Sequence, residues 1–176
     1  MNETISQSYK EMQIQLHQDP NYGVMSIEMA PMVLSLAQNN GVKSISDYGA
    51  GKCNLRKRLK EISKLKFDYR PYDPAFPEYG KPRAADLVCC LDVLEHIEAD
   101  FIDNVISDLG RITRKLGLFT VHTGPAMKVL PDGRNAHLTQ EPSSWWLSRL
   151  CTYFNIKELQ SSETGFLIIV EPINKR

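Results

Sequence analysis

Apolar residues recur along the chain with two different periods, which separate the predicted helices from the predicted strands. Helical spacing predicts helices over residues 2–16, 25–38, 53–64, 98–115 and 143–152. Short apolar runs predict strands over residues 42–48, 66–72, 86–91, 117–122, 155–159 and 166–170. Helices that alternate with strands indicate an α/β domain with a mostly parallel sheet. The short connection at 161–165 indicates a C-terminal antiparallel pair.

The organisation of the chain indicates a single domain over residues 1–176, since its length fits one domain and no repeat or linker interrupts it. Residues 1–40 are expected to form a helical lid or cap, and residues 41–176 to form the core. Pro31 is expected to kink or split the second helix, because proline lacks the N–H group that a helix interior uses.

Two glycines follow the first predicted strand, in the sequence SISDYGAGKC of residues 44–53. Gly49 and Gly51 let the backbone turn tightly and approach a ligand without a Cβ clash. A dinucleotide-binding loop would continue to a third glycine, where this chain has Asn54. Asp47, just before the loop, would repel a pyrophosphate and attract an ammonium or sulfonium group. The loop therefore favours a cationic nucleoside over a dinucleotide.

Acidic side chains also follow the second and third predicted strands. Asp73 lies about 20 residues beyond the glycines, where a carboxylate can accept both hydroxyls of a ribose. Pro74 ends the strand and fixes the turn after it. The apolar strand over 86–91 continues into the sequence LDVLEHI, which begins at Leu91 and Asp92. This places polar groups at the carboxyl ends of the strands, where open α/β sheets bind ligands.

These motifs together resemble class I S-adenosylmethionine-dependent methyltransferases. The motifs are DYGAGKC at 47–53, YDP at 72–74 and DLVCCLDVLEHI at 86–97. The resemblance covers roughly residues 42–122 and, more loosely, the rest of the chain. The stretch 123–138, with Trp145 and Trp146 after it, is similar to a small bacterial and phage group of methyltransferases. The resemblance implies a Rossmann-like sandwich, with a switch point after the first strand, and S-adenosylmethionine as the cofactor.

The same resemblance implies which residues hold the cofactor. The expected cofactor-binding residues are Asp47, Gly49, Gly51, Asp73, Pro74, Leu91 and Asp92. Asp47 would hold the amino-acid end of the cofactor and Asp73 its ribose. Cys53 departs from the family, which often has a third glycine there. The segment between Asp73 and Asp86 is too short for the usual helix and strand. The sheet is therefore expected to lack one edge strand, and Phe76 is expected near the adenine.

Transfer of a methyl group to a hydroxyl or an amine also needs a group that takes a proton. His122, at the end of the fourth strand, and His137, in the following loop, are the candidate catalytic bases, because histidine titrates near neutral pH. The expected acceptor-binding residues are Tyr22, His96, Asp132, Arg134, Asn135 and Trp145. Structural roles stay open for several of these residues, including a cap of the turn for Asp92 and His96.

Composition narrows the class of protein without identifying the acceptor. Hydrophobic residues make up 42% and the formal net charge is zero, which argues against disorder and against duplex nucleic acid as a partner. No apolar run approaches the roughly 20 residues that span a bilayer, and the polar N-terminus lacks a signal-peptide core. A cytoplasmic protein is expected, with its oligomeric state open. The four cysteines form no C-x-x-C pair, so reduced thiols and no metal site are expected.

The leading functional hypothesis is S-adenosylmethionine-dependent methyl transfer to a small or medium-sized acceptor, such as a metabolite, a sugar or a nucleotide. The alternative is a non-catalytic S-adenosylmethionine-binding regulatory or partner protein, which would bind the cofactor without transferring its methyl group. A nucleotide-dependent oxidoreductase is a third hypothesis, and the missing third glycine argues against it.

Overall fold

The computed structural model describes residues 3–173, and its helices and strands follow the predicted order. The helices are α1 (Gln7–Leu16), α2 (Met25–Asn39), α3 (Asn54–Ile62), α4 (Ile102–Ile112) and α5 (Ser143–Leu150). The strands are β1 (Ser44–Tyr48), β2 (Asp68–Tyr72), β3 (Ala85–Leu91), β4 (Thr113–His122), β5 (Phe154–Ser162) and β6 (Gly165–Pro172). Short 3₁₀ turns cover Pro77–Tyr79, Leu94–His96 and Ala99–Phe101.

These six strands form one sheet in the order β2-β1-β3-β4-β6-β5. The strands from β2 to β4 run parallel, whereas β6 runs antiparallel to both β4 and β5. This confirms the mostly parallel sheet with a C-terminal antiparallel pair. The strands β2 and β3 lie on opposite sides of β1, so the chain changes direction across the sheet there. Ligands of open α/β sheets bind in the crevice at such a switch point.

Helices cover both faces of the sheet and bury it in two apolar cores. On one face, α2 and α3 pack Val33 and Leu55 against buried strand residues such as Leu87. On the other face, α4 and α5 contribute Leu109 and the fully buried Trp146. Each large apolar side chain that is fully buried contributes about 1.5–3 kcal/mol. The two apolar faces of the parallel strands therefore require this three-layer arrangement.

The sheet ends at β2 on one side, because the segment between β2 and β3 contains only the 3₁₀ turn Pro77–Tyr79. The expected absence of an edge strand is thus confirmed for the part of the chain that the structure describes. Within residues 3–173, no helix is both long and apolar enough to cross a membrane.

The largest difference between the predicted and observed elements lies after the fourth helix. The prediction extends that helix to residue 115, but α4 ends at Ile112 and β4 begins at Thr113. Thr113 pairs with Ala85 of β3, and its Oγ1 donates a hydrogen bond to the Leu109 carbonyl at 2.7 Å. The polar residues there carry no apolar period, so only pairing with β3 decides their conformation.

The N-terminal helices also differ from their predicted form. Helix α1 begins at Gln7, because Ser6 Oγ accepts the Tyr9 N–H at 3.2 Å and caps the helix. Residue 2 of the predicted helix lies outside the described residues. Helix α2 continues through Pro31 without splitting. Pro31 lies on the exposed side of α2, where the carbonyl that loses its partner can bond to water.

Candidate functional site

A cavity of about 550 Å³ opens at the carboxyl ends of β1, β2, β3 and β4. Helix α1 and the connection from α1 to α2 contribute its other wall, together with residues 125–128 of the loop after β4. The expected cofactor-binding residues all line the cavity: Asp47, Gly49, Gly51, Asp73, Pro74, Leu91 and Asp92. Two of the expected acceptor-binding residues, Tyr22 and His96, also line it, and so do both candidate bases, His122 and His137.

The glycine loop passes close to its neighbours with a left-handed backbone. Gly49 has φ 81°, and a Cβ there would lie 2.4 Å from Val93 Cγ2. Gly51 has φ 46°, and a Cβ there would lie 2.6 Å from His17 Cε1. Cys53 also adopts a left-handed conformation, with φ 55°. Cys53 therefore has a backbone conformation that glycine favours, at a cost of about 1–2 kcal/mol.

Asp73 is the buried carboxylate that ties the glycine loop to the end of β2. Its Oδ2 accepts the Gly51 N–H at 2.9 Å, and its Oδ1 accepts the Ala75 N–H at 2.8 Å. A carboxylate offers about four lone-pair sites, so about two remain for a ligand. His17 Nε2 lies 3.9 Å from Oδ2. Burial lowers the pKa of His17 to about 4, so this contact is not an ion pair at neutral pH.

Asp47 is a second buried carboxyl on the same cavity wall. Its pKa is raised from 3.8 to about 7, mainly by burial; the hydrogen bond from Tyr69 lowers the pKa and the charge of Asp73 raises it. The Tyr69 hydroxyl donates that bond to Asp47 Oδ2. The neighbouring His17 is neutral, and no described lysine or arginine forms an ion pair with Asp47 or Asp73. This end therefore favours a ligand that carries positive charge.

The opposite end of the cavity holds three imidazoles and one carboxylate. The ring centroid of His137 lies 4.8 Å from that of His96 and 4.9 Å from that of His122. Asp92 has a left-handed φ of 59°, and its N–H donates to Thr120 Oγ1 at 2.8 Å. Burial lowers the pKa of His96, which favours its neutral form, although the charge of Asp92 opposes this. This end can accept or donate hydrogen bonds and can take a proton.

Glu95 supports this end of the cavity from within the core. It is fully buried, and its Oε1 accepts the His122 N–H at 2.6 Å. Burial raises the pKa of Glu95 to about 8, and the nearby charge of Asp92 raises it as well. Glu95 therefore positions the end of β4, where His122 is found.

Two of the expected acceptor-binding residues, Asp132 and Arg134, lie outside the cavity wall. Arg134 Nε donates to Asp132 Oδ2 at 2.7 Å, and its guanidinium lies 5.7 Å from the centre of the Tyr9 ring. Arg134 thus holds the loop after β4 against α1. The structure gives both residues contacts outside the cavity wall.

Asn135 and Trp145, also expected at the acceptor, lie outside the cavity wall as well. The side chain of Asn135 accepts the Ala126 N–H at 2.9 Å and donates to the Ala126 carbonyl at 2.8 Å, which closes the loop on itself. Trp145 belongs to α5, and the guanidinium of Arg149 lies 3.5 Å from its ring centre. Sequence spacing could not separate these residues from His137, because the loop conformation decides which side chains reach the cavity.

His17 and Lys128 line the cavity but carry no sequence signal that marks them. The His17 ring packs edge-on against Tyr22 and Phe76, with centroids 5.1 and 5.0 Å away. Lys128 Nζ donates to Asp19 Oδ2 at 3.0 Å, which joins the loop after β4 to the connection between α1 and α2. Phe76, expected near the adenine, does not line the cavity. His17 directly follows a polar helix, so only the tertiary fold brings it to the cavity.

Substitution of Gly49 by alanine is expected to lower the free energy of unfolding by about 2–4 kcal/mol, from backbone strain plus overpacking. The β-branched Val93 cannot withdraw from a Cβ placed 2.4 Å from its Cγ2. Gly133→Ala is the matched control, since Gly133 has φ 88° and no described atom lies within 4 Å of the point that a Cβ would occupy. The control should show only the strain, about 1–2 kcal/mol. Denaturant unfolding measures both, and equal losses would contradict the expected overpacking.

Comparisons with known proteins identify the fold through structure alone. No protein-family model and no curated protein matches the sequence. An O-methyltransferase family protein from Burkholderia thailandensis aligns with 96% of this chain at a TM-score of 0.60 and 13% identity. The chain spans 60% of the length of that protein.

Two further solved structures align over nearly their whole length. One is the 1,6-didemethyltoxoflavin N1-methyltransferase of Burkholderia thailandensis, with 1,6-didemethyltoxoflavin and S-adenosylhomocysteine bound. It covers 98% of this chain and 93% of its own, with a TM-score of 0.61 and 12% identity. The other is the N-methyltransferase NodS of Bradyrhizobium japonicum WM9 with S-adenosylhomocysteine bound. Its alignment covers 96% of this chain and 100% of its own, with a TM-score of 0.59 and 12% identity. The chain has the Rossmann-like fold of these methyltransferases.

Proposed function

We propose that the protein transfers a methyl group from S-adenosylmethionine to a small or medium-sized acceptor. The observation that carries this proposal is the pair of buried carboxyls, Asp47 and Asp73, on the wall of one cavity beside a glycine loop. A nucleoside that bears an ammonium and a sulfonium group complements two such carboxyls, whereas the pyrophosphate of a dinucleotide would be repelled. The shared fold with S-adenosylhomocysteine-bound methyltransferases supports the same ligand class.

The residues at this end of the cavity fit the chemistry of that cofactor. Asp73 keeps about two lone-pair sites beyond its loop contacts, which suits two neighbouring ribose hydroxyls. Asp47 is a buried carboxyl with one described donor, Tyr69, so a ligand ammonium would stabilise its ionised form. Gly49 and Gly51 would let the ligand approach the backbone. When bound, the cofactor supplies a methyl group on a sulfonium sulfur, which leaves as a neutral thioether.

The acceptor would lie between the methyl group and the imidazole cluster. His122 and His137 are the candidate proton acceptors for a hydroxyl or amine nucleophile, and Tyr22 and His96 would orient it. Good alignment of the reacting atoms can supply about 7–11 kcal/mol of barrier reduction. The 1,6-didemethyltoxoflavin bound in one structural neighbour supports a small molecule as the acceptor class.

The N-terminal residues would act as a cap that keeps water from the reacting atoms. Helix α1 and the connection to α2 line the cavity on the side away from the sheet. Ser6 Oγ donates to Glu98 Oε1 at 2.8 Å, and Lys128 reaches Asp19 across the cavity mouth. Tyr9 of α1 also packs with Leu130 and Ala136 in a small apolar cluster that is separate from the two cores of the sheet, which suits a segment that must admit ligands.

Calorimetric titration of the full chain with S-adenosylmethionine, S-adenosylhomocysteine and NAD tests the proposed cofactor. The first two are expected to bind and NAD is not. At a hundredfold excess over the dissociation constant, binding should stabilise the fold by about 2.7 kcal/mol in thermal unfolding. Binding of NAD alone, or of none of the three by a folded chain, would overturn the proposal. Labelled methyl transfer to a small-molecule fraction then separates an enzyme from a non-catalytic binder.

A further inference from the structure

Three side chains of metal-binding types come together at the acceptor end of the cavity: Asp92, His96 and His137. One ligand atom of each lies within 4.8 Å of those of the other two. Asp92 follows β3, His96 lies in the next 3₁₀ turn, and His137 comes from the loop after β4. Bonds of about 2.0–2.2 Å to one ion need these atoms about 1–2 Å closer together. Rotation of the side chains can supply that movement.

The hydrogen bonds of the two histidines fix which ring nitrogen faces away from the backbone. His96 Nδ1 lies 2.7 Å from the Ala136 carbonyl oxygen, and His137 Nδ1 lies 2.7 Å from the Gly124 carbonyl oxygen. A carbonyl only accepts, so each Nδ1 carries a hydrogen, and the neutral form of each ring has its lone pair on Nε2. Metal-binding histidines have this arrangement, in which the outer nitrogen donates to a backbone carbonyl or a carboxylate.

Lone pairs of three side chains meet at this point. They belong to Nε2 of His96, Nε2 of His137 and the carboxylate of Asp92. A convergence of two imidazole nitrogens and one carboxylate is complementary to a metal cation.

We propose that Asp92, His96 and His137 bind one divalent transition-metal ion at the acceptor end of the cavity. Two imidazoles and one carboxylate on one side of an ion suit Mn²⁺, Fe²⁺, Co²⁺ or Zn²⁺, and they leave coordination positions open. This site differs from the sequence-based expectation of no metal, because His137 joins the other two ligands only through the loop conformation.

The open positions of the ion would take an oxygen atom of the methyl acceptor, which makes a hydroxyl-bearing acceptor the expected class. This part of the inference rests on the proposed function. A hydroxyl bound to a divalent cation loses its proton more readily than a free one. With His137 as a ligand, His122 would be the remaining candidate to take that proton.

The test is a titration of the chelator-treated full chain with Mn²⁺. Binding is measured as the loss of the paramagnetic resonance signal that the free aqueous ion gives. One bound ion per chain is expected, and Zn²⁺ should displace it, because such sites bind Zn²⁺ more tightly than Mn²⁺. His96→Gln and His137→Gln should each weaken binding by at least the roughly 10- to 100-fold that the loss of an outer-shell partner causes. His17→Gln is the matched control, since it removes an imidazole from the cofactor end of the same cavity and should leave Mn²⁺ binding unchanged.

Two results would overturn the site: no saturable Mn²⁺ binding by the folded wild type, or equal binding by the wild type and both ligand variants. Far-ultraviolet circular dichroism of each variant separates lost binding from lost folding, and a misfolded variant is replaced by Asp92→Asn. Bound Mn²⁺ should also enhance water-proton relaxation, and a site without exchangeable water would overturn its role toward the acceptor. Titration with S-adenosylhomocysteine is measured separately, so failure of the metal site and failure of the proposed function give different results.

Discussion

Replacement of Asp73 by asparagine is expected to weaken the binding of S-adenosylhomocysteine roughly 10- to 150-fold, which corresponds to the loss of one charge-assisted hydrogen bond of about 1.5–3 kcal/mol. Asparagine has one acceptor oxygen where the carboxylate has two. That oxygen is needed by the Gly51 or Ala75 N–H, which now bond to separate oxygens at 2.9 and 2.8 Å. The ribose would therefore lose its strongest partner. Calorimetric titration of the wild type and the variant measures the difference.

Asp68→Asn is the matched control for this experiment. Asp68 begins the same strand that Asp73 follows, but its side chain is 56% exposed and bonds to Arg70. Its replacement should leave the affinity within a factor of about two, since exposed ion pairs contribute little. Asp73→Ala would be less informative, because it leaves two buried N–H groups without an acceptor and destabilises the loop itself. Unchanged affinity in a folded Asp73→Asn would remove the ribose assignment.

Replacement of Asp47 by asparagine is expected to abolish the pH dependence of cofactor binding. In the free protein, burial holds the pKa of Asp47 near 7. A cationic ligand needs the ionised carboxylate. The affinity of the wild type should therefore rise by up to tenfold per pH unit until the pH reaches about 7, and then level off. The variant should bind weakly at every pH. Titrations between pH 5.5 and 8.5 in two buffers would show the released proton in the wild type only.

The same substitution should raise the free energy of unfolding of the ligand-free protein, because the pKa of Asp47 is higher in the folded chain than in the unfolded chain. The pKa of Asp47 is about 7 in the folded chain against an ordinary value of 3.8. The unfolded chain therefore ionises more easily, and wild-type stability falls as the pH rises from 3.8 through 7. Between pH 5 and pH 8 the advantage of Asp47→Asn should grow by about 2–3 kcal/mol. Denaturant unfolding at the two pH values tests this, and a constant difference would contradict it.

Segments with apolar residues at helical spacing alternate with short apolar runs along the chain. This alternation was enough to predict the order of strands and helices and the class of sheet. Parallel strands such as Ala85–Leu91 are buried on both faces, so their sequences read as continuous apolar runs. The same pattern could not locate the end of α4. The first residues of β4, Thr113 to Lys115, are polar and show no apolar period, so the pairing of Thr113 with Ala85 decides where the strand begins.

The positions of the candidate cofactor residues were predictable because each lies at the end of a strand or shortly after it. Asp47, Gly49, Asp73 and Asp92 lie within a few residues of the ends of β1, β2 and β3, and parallel strands bring those ends to one edge. All of them line the cavity. Local sequence therefore carried the information about their position.

The sequence by itself determined the alternating α/β architecture and the acidic, glycine-containing edge of the sheet, since both depend on short segments and their immediate neighbours. Only the tertiary structure decided the other wall of the cavity. It places His17 over Gly51 and brings His137 to His96 and His122, while Asp132, Arg134, Asn135 and Trp145 stay outside. The physical reason is that loop and cap conformations result from contacts between segments far apart in the chain, such as Lys128 with Asp19, which no local period encodes.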